Sequence, residues 1–315
     1  MLYFVAPDPA SFVSGGNRFN QQIMQGLDQL RVPMQRIEFD LVYTALESLS
    51  NIVLIDSIYV DQLDASLIQR AKAKTVLLIH LLPSMLSSTL GKEPGLLNSF
   101  DLILANSVFT QNYCRSVLGL NNGVAIVEPF TFKPFLTSQS RRNKIVCIAN
   151  WSPGKQIDKL LSVLSLHDLP GDFIIHFYGD HEREKKYFDL CTSILKLHPI
   201  LENHVMLHGI VDHEKLHSVY SEASLFIDTS ALETYGMAVA EAIAYEIPVI
   251  TLGKGNVPNL IQQVNGFICH DMDELFNCMM RHHMGDMAFD TMDSSHLLTD
   301  WSAFIHQLRL LQPLH

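Results

Sequence analysis

Short apolar runs recur along the chain, separated by longer stretches in which apolar and polar residues alternate at helical spacing. In the first half, residues 2–6, 52–55, 75–80 and 102–105 are almost wholly apolar, which predicts strands buried on both faces. Between them, residues 20–30, 63–73 and 108–118 carry apolar positions three and four apart and predict helices. Strands that alternate with helices imply a parallel sheet covered on both sides. The pattern stops at Glu128. Residues 128–143 hold Pro129, Pro134, a Ser/Thr cluster and the pair Arg141-Arg142, and read as a linker. A second alternating set follows, with strands expected at 144–149, 173–178, 205–207, 225–228 and 248–252, and a short one at 267–269. Helices are expected at 157–166 and 182–197, with further helices between the later strands. Residues 284–300 are polar and irregular, and 301–311 places Trp301, Phe304, Ile305, Leu308 and Leu311 on one helical face.

This pattern divides the chain into a domain at 1–127, a linker at 128–143, a domain at 144–283 and a tail at 284–315. The expected fold class is α/β, with two Rossmann-like, doubly wound domains facing across a cleft. Ligands of such sheets bind beyond the carboxyl ends of the strands, so the site is expected in the loops there.

Composition narrows the function. Hydrophobic residues are 48% and charged residues 17% of the chain, enough apolar surface for two cores and too much for disorder. A formal charge of -11 disfavours nucleic acid as a partner and allows at most weak peripheral contact with anionic membranes. No apolar run reaches bilayer-spanning length, and Met1-Leu-Tyr-Phe-Val reads as a buried first strand rather than a leader. The five cysteines Cys114, Cys147, Cys191, Cys269 and Cys278 have no CxxC spacing and read as buried free thiols, consistent with a cytoplasmic location.

The candidate chemistry concentrates between Ser230 and Ile250. A buried strand ending at Asp228 leads into the loop Thr229-Ser-Ala-Leu-Glu233-Thr-Tyr-Gly236, then a short apolar helix from Met237 that carries Glu241. Gly236 allows close backbone approach, and the amides of Gly236, Met237 and Ala238 are placed to hold a phosphate at a helix N-terminus. Glu241 sits in an almost entirely apolar helix, where a carboxylate needs a partner. Upstream, Lys155 follows a strand and precedes a helix. Near the N-terminus, Ser14-Gly15-Gly16-Asn17 lies between the first strand and a helix, with Arg18 and Asn20 beyond it, and His80 ends a strand.

The segment Glu233-Thr-Tyr235-Gly236-Met-Ala-Val-Ala-Glu241 resembles the Glu-x7-Glu signature of retaining glycosyltransferases of the two-Rossmann GT-B fold, family 4 in particular. The resemblance spans nearly the whole chain, through Asn106-Ser107, Val127-Glu-Pro-Phe, and the series Val205, Gly209, Leu216, Tyr220, Ala223, Phe226, Pro248. It implies a retaining hexosyltransferase acting on a nucleoside-diphosphate-sugar donor and an acceptor hydroxyl, with Glu233, His80 and Lys155 at the reacting centre. It places the donor against Gly15, Gly16, Asn150, Lys155, Gly209, Tyr235, Gly236, Met237, Ala238 and Glu241, the last on the ribose. Asn150 stands where the family has a phosphate-binding arginine. No metal is expected to be needed, since Lys155 and the helix N-terminus would stabilise the diphosphate.

Rival readings remain. A GT-B epimerase fits the same residues, whereas a phosphorylase would want a pyridoxal lysine. A partner subunit without catalysis is favoured by Asn150 and opposed by Glu233, Glu241 and Lys155. His213-Glu-Lys-Leu-His217 matches a zinc-protease motif but lacks a third ligand and reads as a solvated helix face, and Asp271-Met-Asp273 reads as a helix cap.

Overall fold

A computed structural model describes residues 1–87, 93–120, 123–131, 143–261 and 266–287, together with Phe289, Phe304 and His306. The chain divides into two compact units, Met1–Phe130 with Thr299–His315, and Thr131–Leu298. Most of the expected linker, residues 132–142, lies outside the described residues, as does most of 284–311.

The first unit holds one six-stranded parallel sheet: β1 Leu2–Val5, β2 Met34–Ile37, β3 Ile52–Asp56, β4 Lys74–Ile79, β5 Leu102–Ala105 and β6 Val124–Ile126. The order is β2-β1-β3-β4-β5-β6. The central strands are buried along their length, as their continuous apolar sequence requires. Two strands escape the hydrophobic pattern because they lie at the sheet's edges: β2 has the sequence MQRI with one buried residue, and β6 has only three residues. The first helix runs Gly15–Gln29 and starts five residues before the expected Asn20. Ser14 caps it by accepting from Asn17 N at 3.1 Å, so both glycines belong to its first turn.

The second unit repeats the plan with β7 Ile145–Ile148, β8 Ile175–Tyr178, β9 Val205–Leu207, β10 Leu225–Asp228, β11 Val249–Thr251 and β12 Gly266–Ile268, in the order β12-β11-β10-β7-β8-β9. Every strand pair is parallel, with Ile145 opposite both Ile175 and Leu225. Two apolar clusters fill this unit. One holds Trp151, Phe173, Phe177 and Phe276, and the other packs Tyr220, Phe226 and Ile243 around the helix Met237–Ala244. All five cysteines are buried and free. Among the described residues, no helix is long and apolar enough to cross a membrane.

Candidate active site

Strand order fixes where each sheet opens. In the second unit the chain steps outward from β7 through β8 to β9, then resumes at β10 on the opposite side of β7. The reversal leaves a crevice between the carboxyl ends of β7 and β10, the usual ligand position in such sheets. The loops leaving these two strands carry Lys155 and Glu233.

Hydrogen bonds tie the loops together. Ala231 N donates to Gly154 O at 2.7 Å, and the Thr229 hydroxyl donates to Lys155 O. The turn after β11 closes on the same loop: Asn256 N donates to Glu233 O at 2.8 Å, and Asn256 Nδ2 to Tyr235 O at 3.0 Å. A Cβ at Gly255 would lie 2.1 Å from Glu233 O, and its φ is +80°, so only glycine fits this approach. Glu233 is thus held through its own backbone.

Its carboxylate pairs with the Lys155 ammonium, and the Ser230 hydroxyl lies 2.8 Å from the same Glu233 Oε1. The two side chains of the ion pair keep 28% and 20% of their exposure, enough for a ligand to reach them. Burial would lower the Lys155 ammonium, but Glu233 and Asp228 outweigh it and hold it above the usual lysine range. Behind this pair sits Asp228, the last residue of β10 and 8% exposed. Its Oδ1 lies 2.6 Å from Ser230 Oγ, and its Oδ2 accepts from Thr251 Oγ1 at 2.8 Å. Burial and the Glu233 charge push the Asp228 carboxyl upward, against the pull of Lys155.

Gly236, in left-handed backbone with φ +93°, caps the helix Met237–Ala244. The first amides of a helix lack intrahelical acceptors, and here they belong to Met237 and Ala238. Glu241, within that helix, finds its partner in Tyr220, whose hydroxyl donates to Oε2 at 2.8 Å. The Tyr235 ring is buried in the core, 3% exposed.

Asn150 and Gly209 lie on the β8 side. Asn150 Oδ1 accepts from Asp180 N at 3.0 Å, so this side chain secures the turn after β8. Gly209, with φ +66°, offers its carbonyl to Gly179 N at 2.8 Å.

In the first unit the corresponding reversal lies between β1 and β3. Gly15, Gly16 and His80 come together there: a Cβ on Gly16 would lie 3.2 Å from His80 Cγ. His80 Nε2 lies 2.8 Å from Asn20 Oδ1 and 3.5 Å from Asp56 Oδ2, and Asn20 Nδ2 donates to Asp56 Oδ2 at 2.6 Å. Arg18 lies half-exposed on the same helix as Asn20.

The side chains of His213 and Glu214 lie outside the described residues, while His217 Nδ1 lies 2.6 Å from Tyr245 Oη. Asp271 caps the helix Met272–His283 through Glu274 N at 2.8 Å, as expected. Among the described residues, no group of three or more His, Cys, Asp or Glu is arranged to hold a metal.

Asp56 and Asp228 escape sequence reading, although each leaves the same mark, an aspartate closing a wholly buried strand in IVLID and LFID.

Two parallel, doubly wound sheets with these crevices define the GT-B fold. Solved structures agree. Sucrose-phosphate synthase from Thermosynechococcus elongatus is similar at TM-score 0.76 and 15% identity, covering 98% of this chain and 97% of its own. HepE of Anabaena, in complex with UDP and glucose, is similar at 0.74 and 16%, covering 99% of each chain. A glycosyltransferase from Rickettsia africae is similar at 0.71 and 14%, covering 98% and 97%. Residues 130–275, a little under half of the chain, match the model of the family glycosyl transferases group 1. No curated protein matches the sequence.

Proposed function

We propose that this protein is a retaining glycosyltransferase that moves a hexose from a nucleoside-diphosphate-sugar to an acceptor hydroxyl. The observation that carries the reading is the Lys155–Glu233 pair at the β7/β10 switch point, next to the helix that starts at Gly236. Breaking the bond from sugar to phosphate puts negative charge on the departing diphosphate. Lys155 and the helix amides supply positive charge there, preorganised rather than recruited from solvent. Lys155 leaves Glu233 for the diphosphate when the donor binds, and Glu233 is then turned to the sugar. Glu241, oriented by Tyr220, holds the ribose. The resemblance gives His80 of the first unit, steadied by Asp56 and Asn20 beside Gly16, a hydrogen-bonding role of its own. The reading includes no metal. The HepE complexes with UDP and with UDP-glucose make uridine donors the first to test.

Asn150 favours a second reading, a binding subunit without turnover, because its amide is engaged with Asp180 where the resemblance expects an arginine.

A panel of nucleoside-diphosphate-sugars tests the first reading by thermal shift and then by nuclear magnetic resonance of the product's anomeric centre. At a ligand concentration of 100 Kd, binding to the folded state stabilises it by about 2.7 kcal/mol, a readily measured shift. Binding with transfer and a retained anomeric configuration is expected. Binding without turnover of any donor supports the subunit instead, an inverted product overturns retention, and no shift with any member overturns the donor site.

A further inference from the structure

Ser230 has one hydroxyl proton and two carboxylate neighbours. Its Oγ lies 2.6 Å from Asp228 Oδ1 and 2.8 Å from Glu233 Oε1. Lys155 Nζ, 3.3 Å away, donates to the same oxygen. If both acids are ionised, the serine can donate to only one of them, and the other carboxylate oxygen faces an oxygen lone pair at hydrogen-bond distance. One further proton removes the conflict: a protonated Asp228 donates to Ser230 Oγ, and Ser230 donates to Glu233.

The charge balance points the same way. The groups around Asp228 come from three elements: Cys147 and Lys155 from β7 and its loop, Glu233 and Ser230 from the loop after β10, and Thr251 from β11. Two carboxylates therefore share one ammonium in a pocket where Asp228, Ser230 and Thr251 are 8%, 2% and 0% exposed. Burial already drives the Asp228 carboxyl above its ordinary value. A donor diphosphate that drew Lys155 away would leave both carboxylates without their cation.

We propose that Asp228 is a positioning residue that shares a proton with Glu233 through Ser230, and that this proton keeps the site receptive to an anionic donor. The proton comes from solvent and forms an O–H bond on the carboxylate, and no bond between heavy atoms changes. The donor-binding clause rests on the glycosyltransferase reading, while the shared proton stands on the cluster alone. Above the pH at which the proton leaves, the site gains a negative charge and donor affinity falls, by up to tenfold per pH unit.

The test has two arms. In the first, carboxyl carbons of Asp and Glu are labelled with carbon-13 and titrated in the ligand-free protein. One resonance, missing from Asp228→Asn, is expected to titrate well above the ordinary aspartate value of about 3.9. The Glu233 resonance, identified through Glu233→Gln, is expected to shift with it, and Ser230→Ala to uncouple the two. An Asp228 resonance titrating at or below about 3.9 overturns the proposal, whatever the variants do. In the second arm, UDP-glucose affinity is measured against pH in wild type and Asp228→Asn. The alkaline loss is expected in wild type and absent in the variant, whose amide imitates the protonated acid. An equal pH dependence in both overturns the donor-binding clause. No binding of UDP-glucose at any pH counts against the uridine-donor reading, while the first arm still decides the shared proton.

Discussion

Lys155 is one cation among several claimants. It contacts Glu233 and Ser230 and feels the charge of Asp228. In the proposed reaction its removal therefore acts twice, on the diphosphate and on the acids left behind. Lys155→Met is expected to lower the transfer rate about 10²–10³-fold, the scale of losing one preorganised charge at a developing anion. It is also expected to cost about 1–3 kcal/mol of stability, because buried acceptors lose their donor. Initial rates and urea denaturation check the two effects, and an unchanged rate contradicts the assigned role. Tyr220 serves Glu241 more gently. Tyr220→Phe removes one hydrogen bond, worth about 0.5–1.5 kcal/mol, and is expected to raise the donor KM about threefold to tenfold with kcat unchanged. A fall in kcat at constant KM would place Glu241 at the reacting bond instead of the ribose.

Asp56 joins the end of β3 to the first helix and β4. Burial alone would raise its carboxyl, but His80, Ile58 N and Asn20 outweigh burial and hold it below the ordinary value. A depressed acid stabilises the fold above its unfolded pKa and loses that contribution as pH falls through the folded one. Asp56→Asn should thus be less stable than wild type near neutral pH. The gap should close as pH drops below about 3.9, measured by denaturation across pH. A gap that is constant with pH contradicts the charge pairing. At Gly255 the loop after β11 meets the loop after β10 by a backbone contact that admits no side chain. Gly255→Ala should displace Glu233 and destabilise by about 1–3 kcal/mol, read by thermal unfolding and by lost donor binding together. The elements also show what a sequence can disclose. Strands such as β3 and β4 are legible because burial on both faces demands an unbroken apolar run. Edge strands β2 and β6 are not, since solvent on one side and few residues erase the pattern. The start of the first helix hides behind Gly15-Gly16, poor helix formers that a Ser14 cap makes acceptable. The places of Glu233, Lys155 and Gly236 just after strand ends were legible from their spacing. Asp228 and Asp56 were not, because a polar residue closing a strand looks like any strand end until the fold supplies its neighbours.

At the scale of the whole molecule, the two units repeat one device. Each sheet reverses its strand order once, and each reversal lies beside a buried aspartate, Asp56 in one unit and Asp228 in the other. Lys155 and Glu233 gather around Asp228, with Glu241 in the helix that follows, and Asn20 and His80 gather around Asp56, with Gly16 beside His80. In the proposed reaction a chain with a formal charge of -11 needs positive charge concentrated where the anionic donor sits, and Lys155 with the helix amides is proposed to supply it. If the arrangement transfers a sugar as proposed, Glu233 stands at the sugar. Release of nucleoside diphosphate from the donor that stabilises the protein most, compared between wild type and Glu233→Gln, tests it most directly. Turnover by wild type is expected, with a loss of about 10²-fold or more in the variant and donor binding retained. Equal turnover in the two, or tight donor binding by wild type with no nucleoside diphosphate released, would contradict it.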